Sequence, residues 1–267
     1  RKGIAEQQFQ LLYQPQVSFS DYRVHAVEAL LRWNHPTRGL VTPDEFISVA
    51  EESGCIVPLG LWVLDEACRQ LKQWEAAGLP APRMAVNVSA VHFHQPDFHD
   101  HVRETLARHA VEPGRIELEL TERSLMEDTD GARNSLRALK DIGVRLAIDD
   151  FGTGYSCLAY LRRFPIDVLK IDRSFVSDLP TSSDDQAICA AILSIAQRLS
   201  LDSVAEGIES EQQLGFLTKQ GCRFGQGYYF SRPIDAVQIA GMLASRGVRA
   251  DEPRHADHQL AALAGGD

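Results

Sequence analysis

The chain has 267 residues and a formal net charge of −10, with 44% hydrophobic and 24% charged residues, values that suit one globular unit with a sizeable core. The acidic balance argues against a nucleic-acid polymer as partner, because that requires a basic face. No apolar run is long enough to cross a bilayer, the most apolar helical stretch (Ala187 to Leu199) being broken by Ser194, Gln197 and Arg198, and no secretory signal is recognisable.

Short strand-type runs alternate with helix-type stretches. Phe9 to Phe19 and Tyr22 to Trp33 predict two successive strands joined by a polar turn at Ser20-Asp21, and Asp44 to Ser53 and Leu61 to Ala77 predict helices, the second closed by Gly78 and Pro80. The rhythm then becomes regular. Strands are predicted at Met84–Val88, Ile116–Leu120, Arg145–Ile148, Val168–Ile171, Ser203–Ala205 and Gly225–Phe230. The stretches that follow them predict helices at Asp97–His109, Gly131–Ile142, near Leu158–Arg163, at Asp184–Leu199, Ser210–Lys219 and Ala236–Ala244. About eight strands in βα alternation predict a closed α/β barrel rather than an open sheet. The first two strands lack an intervening helix, so one of them is expected to run antiparallel. The tail from Arg249 onward, rich in Ala, Asp, His and Gly, is expected to be mobile.

Five cysteines (Cys55, Cys68, Cys157, Cys189 and Cys222) are scattered, odd in number and form no C-x-x-C pair, so they read as reduced thiols of a cytoplasmic domain, most of them packing residues. A chain opening at Arg1 rather than Met reads as a piece of a longer protein, whose parent is compatible with a membrane anchor.

The placement of polar groups is more informative. Strand after strand ends in an apolar run followed at once by a metal-type ligand: Glu28, Asn87, Glu119, Asp149-Asp150 and Glu206, with Lys170 among them. In a βα barrel these ends converge on the rim that carries chemistry. Five carboxylates facing one another would repel strongly, and Lys170 neutralises only one of them. Divalent cations resolve the conflict, and all-oxygen ligands favour Mg²⁺ or Mn²⁺ over zinc. The adjacent Asp149-Asp150 pair suits two ions sharing a carboxylate, an arrangement that activates water against a phosphoester.

Taken singly, each group has a bland explanation. Glu28 or Glu119 alone reads as a salt-bridged barrel residue, Lys170 as an interior ion-pair partner, and Asp149-Asp150 as a tight turn before Phe151-Gly-Thr-Gly154. Their coincidence on successive strands is what favours a site. Glu117 shares the inward face with Glu119, yet it reads as structural, paired with an arginine at a strand start. His92, His94, His99 and His101 lack helical metal-ligand spacing and read as surface polar residues. The pair Gly152-x-Gly154 lacks the third glycine of a dinucleotide fingerprint.

These residues also carry a resemblance. Glu28-Ala29-Leu30-Leu31-Arg32-Trp33-Asn34-His35-Pro36 is similar to the signature of the EAL-domain cyclic di-GMP phosphodiesterases. The similarity runs from Tyr13-Gln14-Pro15 through Asn87-Val88-Ser89, Glu119-Leu120-Thr121-Glu122, Asp149 to Gly154, Lys170-Ile171-Asp172, Ala205 to Glu209 and Gly225-Gln226-Gly227 to Phe230-Ser231-Arg232-Pro233.

The resemblance implies a modified TIM (β/α)8 barrel with one antiparallel strand near the N-terminus, spanning residues 9–248, with 1–8 a linker remnant and 249–267 a tail. It implies Glu28, Asn87, Glu119, Asp149 and Asp150 as ligands of two Mg²⁺ or Mn²⁺ ions, Asp149 bridging. Lys170, Glu206 and Gln226 would serve the water and its protons, while Gln14, Leu30 and Arg32 would contact cyclic di-GMP. Glu122 would anchor the loop from Phe151 to Leu158. The one departure noted is Cys157, where serine is commoner. The implied reaction is metal-dependent hydrolysis to linear 5′-pGpG, with the 3′ oxygen leaving. A homodimer and an upstream sensor or cyclase domain are the implied partners. The competing expectations are a catalytically silent cyclic di-GMP receptor and another metal-dependent TIM-barrel hydrolase.

Overall fold

The computed structural model describes residues 2–126, 129–153, 161–245 and 248. Its elements begin with α1 (Lys2–Ala5), β1 (Phe9–Ser18), β2 (Val24–His35), β3 (Gly39–Val41), α2 (Ile47–Glu52), α3 (Ile56–Ala76), β4 (Arg83–Asn87), α4 (Ala90–Phe93) and α5 (Phe98–His109). They continue with β5 (Ile116–Thr121), α6 (Glu122–Met126), α7 (Thr129–Ile142), β6 (Arg145–Phe151), β7 (Val168–Ile171) and α8 (Arg173–Val176). The last are α9 (Ser183–Arg198), β8 (Asp202–Ala205), α10 (Glu211–Lys219), β9 (Phe224–Gly225) and α11 (Ala236–Ala244).

Eight strands close in the order β1-β2-β4-β5-β6-β7-β8-β9, with β3 paired outside the barrel to the far end of β2. Within the barrel every pair is parallel except those made by β1, which runs against both β2 and β9; the outer pair β2–β3 is also antiparallel. The reversed strand is therefore β1. It follows from the short turn between β1 and β2, which leaves no length for a crossover.

Two apolar layers hold the barrel together. Between strands and helices lies the larger, in which Leu118, Leu120, Leu146, Ile148, Leu169 and Ile171 are almost fully buried. Helix α7 turns Ala132, Leu136 and Leu139 toward it at one-turn spacing, all three with no exposed surface. Truncating Leu136 to alanine would cost about 3 kcal/mol. A separate small cluster of Ala147, Val168, Val204 and Phe224 fills the barrel interior.

Several boundaries differ from the sequence reading. The helix expected from Leu61 starts at Ile56, because Pro58 falls in its first turn, where no helical N–H is needed. The helix expected over Asp44–Ser53 is split at Phe46 into a 3₁₀ turn and α2. The strand expected over Gly225–Phe230 stops at Gly225. Beyond it Gly227 turns at φ 157, where a Cβ would lie 2.1 Å from the Ile208 carbonyl oxygen. Strand β6 runs on through Asp149 and Asp150 to Phe151, with an extra residue relative to β7 between Ile148 and Phe151. The first half of the helix expected near Leu158–Arg163, Cys157 and the tail from Arg249 lie outside the described residues.

Candidate metal centre

The strands lay their inward side chains down in steps of two, and the steps stack into three layers. At the floor, Glu117 of β5 lies 3.1 Å from Arg145 Nε and 3.8 Å from Arg83 Nη1, while Asp202 lies 2.8 Å from Arg145 Nη2. Two residues further along β6 and β8, Ala147 and Val204 belong to the interior apolar cluster. Two further still come Asp149 and Glu206, beside Glu119 of β5 and Lys170 of β7.

At this rim Lys170 is 1% exposed and is surrounded by carboxylates. Its Nζ lies 2.6 Å from Glu206 Oε1, 2.9 Å from Glu119 Oε2, 3.1 Å from Asp149 Oδ1 and 3.9 Å from Glu28 Oε2. Glu28 accepts from Asn87 Nδ2 at 2.6 Å and from Gln226 Nε2 at 2.5 Å, and Gln226 Nε2 also reaches Glu206 Oε1 at 3.4 Å. Backbone bonds beyond the strand ends fix the last two positions: Glu206 N donates to Ile171 O and Gln226 N to Ala205 O. The structure thus brings together Glu28, Asn87, Glu119, Asp149, Lys170, Glu206 and Gln226.

Asp150 joins them through the irregularity in β6. It adopts φ 52, the left-handed region that a non-glycine residue seldom occupies. Its backbone N–H donates to Asp149 Oδ1 at 3.1 Å. Without the extra residue, strict alternation would point Asp150 away from Asp149; with it, oxygens of Asp149, Asp150 and Glu206 all lie within 4.8 Å of one another.

The charges do not balance within the protein. Burial alone would push the Lys170 ammonium down, but Asp149, Glu119, Glu206 and Glu28 together hold it well above its usual range. Burial, reinforced by neighbouring carboxylates against the pull of Lys170, raises Glu119 well above the ordinary carboxylate range. Glu206 is pushed up to about 8, chiefly by burial and then by Asp149 and Glu28 against the pull of Lys170. Asp150 is pushed up to about 6 by burial and by Asp149 and Asp172. Glu28 moves down: burial opposes its charge, but Lys170, Gln226 and Asn87 outweigh it. Neither oxygen of Glu119 receives a well-formed hydrogen bond, although both are buried. An all-oxygen donor set with surplus negative charge and orphaned carboxylate oxygens fits a hard divalent cation.

The remaining residues singled out from the sequence lie around this centre. Gln14 stands opposite Glu28 in the β1–β2 pair, its amide donating to Ser231 O at 3.0 Å. Leu30 and Arg32 follow Glu28 on the same face of β2, and Arg32 Nη1 donates to Leu31 O at 2.8 Å. Gly152 N–H donates to Glu122 Oε2 at 3.1 Å, tying the start of the loop after β6 to α6. Glu117 has the arginine partners expected of it. His92 departs from expectation: it is 3% exposed, against Phe98 and the Cα of Gly60, where its ring occupies the space of the missing side chain. Cys68, Cys189 and Cys222 are buried packing residues, and Cys55 is half-buried.

Sequence reasoning passed over Asp172, whose carboxyl interacts with Asp150; its position two residues beyond Lys170, one more step toward the rim, was the available signal. It also passed over Arg173, Glu209 and Tyr228, which line a cleft of about 150 Å³ beside Glu206 and Gln226. Among the described residues no helix is long and apolar enough to cross a membrane.

Comparison with known proteins agrees with this geometry. The family profile described as "EAL domain" matches residues 1–233. The chain is 46% identical over 244 residues to the Pseudomonas aeruginosa protein named bifunctional diguanylate cyclase/cyclic di-GMP phosphodiesterase MucR, covering 91% of this chain and 36% of that one. It is likewise 46% identical to the cyclic di-GMP phosphodiesterase NbdA of the same organism, covering 91% of this chain and 31% of NbdA. The chain therefore spans about a third of the length of these two relatives. A solved structure described as the PaMucR phosphodiesterase in complex with c-di-GMP superimposes with a TM-score of 0.86 at 46% identity, covering 90% of this chain and 97% of the other. The EAL domain of Mycobacterium smegmatis DcpA gives 0.76 at 33% identity, covering 90% and 97%.

Proposed function

The chain belongs to the EAL domain family, and from that premise we propose that it hydrolyses cyclic di-GMP to linear 5′-pGpG, with divalent cations held at the rim. The observation that carries this reading is the gathering of Glu28, Glu119, Asp149 and Glu206 around one buried ammonium, Lys170. Such a concentration of negative charge has no structural use that the ionic floor of the barrel does not already serve. Relatives named for this activity support the same reading.

Two Mg²⁺ or Mn²⁺ ions, held by Glu28, Asn87, Glu119, Asp149 and Asp150, supply when bound the positive charge that phosphoryl oxygens require and acidify a water molecule. Lys170 presents a fixed ammonium to charge developing on the phosphoryl oxygens. Glu206, whose carboxyl sits near 8 in the absence of cations, is suited to exchange a proton with the attacking water or the leaving 3′ oxygen. Gln226, bonded to Glu28 and reaching Glu206, holds both at fixed orientation. Gln14, Leu30 and Arg32 contact the dinucleotide, Arg32 offering a fork of donors to a phosphate. Because the protein is acidic, affinity for a dianion rests on these local groups and not on net charge.

The same reading treats residues 9–248 as the catalytic domain, 1–8 as the lead-in from an upstream sensor or cyclase domain and 249–267 as a tail, with a homodimer as the working form. The greater length of the relatives supports a further domain in the parent chain. The test is Asp150→Asn. It is expected to abolish most turnover while dinucleotide binding falls much less; unchanged turnover would remove the rim from the mechanism.

A further inference from the structure

A recess at the floor end of the barrel shares no residue with the rim. It measures about 10 Å³, room for one particle the size of a water molecule. Val168, Val204 and Phe224 of the interior apolar cluster roof it, and Gln16, His25, Arg83, Glu117 and Asp202 form its polar walls. His25 reaches it through an irregularity in the β1–β2 pair. Gln16 pairs with Ala26 but Val17 with Val24, so His25 between them has no partner on β1. The extra residue re-aims its ring into the barrel, where it stacks on Phe224 at a centroid distance of 3.9 Å and an interplanar angle of 12°.

The ionic groups around the recess do not cancel. Arg145 holds Glu117 at 3.1 Å and Asp202 at 2.8 Å, and Arg223 holds the second oxygen of Asp202 at 2.9 Å. Asp167, a further carboxylate near Arg83, is taken by Lys140 at 2.8 Å. Arg83 is left over. Among the described residues its guanidinium donates no hydrogen bond, and the carboxylate oxygens closest to it, on Glu117 and Asp202, are 3.8 and 4.0 Å away. Burial and Arg145 both work against its charge.

Two further donors are buried beside Arg83. Gln16 is 1% exposed, and its Nε2, like His25 Nε2, is shut from solvent with no hydrogen-bond partner among the described residues. His25 is neutral near pH 7, its imidazole pushed down to about 4 by burial and by Arg83, Arg145 and Arg223 against the pull of Asp202, so it carries one N–H. A buried donor without an acceptor is costly. Three donors around one recess, one of them a surplus cation, call for an acceptor that also brings negative charge. Water supplies the acceptor and not the charge, and a polyatomic anion such as phosphate exceeds the room.

We propose that this recess is a monatomic-anion site in which Gln16 Nε2, His25 Nε2 and the Arg83 guanidinium hold one chloride ion. The ion completes the charge of the barrel floor and acts on stability, since the apolar layer separates it from the rim. The site is independent of the phosphodiesterase reading and stands or falls without it.

The test records thermal unfolding midpoints at fixed pH, Mg²⁺ and ionic strength while chloride replaces gluconate, an anion too large for the recess. The midpoint of the unmodified protein is expected to rise by about 3 °C and to saturate. Gln16→Leu and Arg83→Met should lose that rise. Gln16→Glu builds the negative charge into the wall, so it should show no dependence on chloride and melt no lower than the unmodified protein does in gluconate. This variant decides the matter if the other two fail to fold. A crystal soaked in bromide should show an anomalous peak within hydrogen-bond reach of Gln16 Nε2 and the Arg83 guanidinium. A midpoint indifferent to chloride would overturn the site. So would a rise that survives in Gln16→Leu, Arg83→Met or Gln16→Glu, which would mark an adventitious ion only. Water in the recess of the bromide-soaked crystal, or a Gln16→Glu protein that melts well below the unmodified one in gluconate, would overturn it equally.

Discussion

Glu117 and Glu119 stand two positions apart on β5, face the same barrel interior, and meet opposite surroundings: Glu117 lies 3.1 Å from Arg145 at the floor, and Glu119 lies 2.9 Å from Lys170 at the rim. The floor carries Arg83, Arg145 and the exposed Arg223 against Glu117 and Asp202, so each of its carboxylates has a cation partner within the protein. The rim sets four carboxylates against one ammonium, so its charges do not balance. One side of the barrel thus answers its carboxylates from within the protein, and the other calls for cations.

Glu117→Gln separates the two ends. It leaves two half-buried arginines short of a counter-charge and is expected to destabilise the fold by about 2 kcal/mol. Denaturant unfolding checks this, and kcat should change by less than about threefold because the floor lies on the far side of the apolar layer.

Lys170→Met removes the cation from the rim. Turnover is expected to fall by about a thousandfold in steady-state assays, since fixed positive charge near the reacting phosphate is lost. Without divalent ions the variant should also unfold more readily, because four clustered carboxylates, of which Glu28 and Glu119 are buried, then lack any counter-charge. Excess Mn²⁺ should restore much of the stability and little of the turnover.

Stability of the cation-free protein should depend on pH in a direction set by Glu206. Its folded-state carboxyl sits at about 8, above the ordinary value of 4.5, so between these values the folded state holds a proton that the unfolded chain releases. Its contribution is therefore present below the lower value and is lost as pH rises through the upper one. The melting temperature without cations should fall between about pH 5.5 and about pH 8.5, less steeply in Glu206→Gln. The stabilisation gained from added Mg²⁺ should grow over the same range.

Gly227→Ala tests the turn that ends β9. A Cβ at this position would lie 2.1 Å from Ile208 O and 2.3 Å from Ile208 N, both backbone atoms. The chain must shift by more than a side-chain adjustment, and Gln226, the preceding residue, shifts with it. A lower unfolding midpoint together with reduced kcat is expected, in contrast to Glu117→Gln, which affects stability alone.

Much of this was legible in the sequence because a parallel barrel writes its rim into the chain: each buried apolar run stops, and the next residue is the one that faces the mouth. Glu119, Asp149 and Glu206 could be placed this way before any coordinates; Glu28 could not, because it lies inside β2, which runs on to His35. The reversal of β1 was legible from the missing crossover helix, though not which of the two strands reversed. What escaped depended for the most part on through-space geometry. The extra residue in β6 that turns Asp150 toward Asp149 was passed over, although the doubled Asp in Ile148-Asp149-Asp150-Phe151 breaks the period-two alternation and was its local signal. His92 was misread because it was grouped with His94, His99 and His101, whereas its burial comes from Gly60, on a different helix. The strand expected beyond Gly225 failed because close approach to Ile208, eighteen positions before Gln226 in sequence, forces a turn.

The most direct measurement is to incubate the purified protein with cyclic di-GMP in the presence of Mg²⁺, Mn²⁺ or EDTA and to separate the products by chromatography. The expected result is linear 5′-pGpG with either cation and none with EDTA. Tight binding of cyclic di-GMP with no product under any divalent ion would contradict a catalytic rim and make the domain a receptor for the nucleotide.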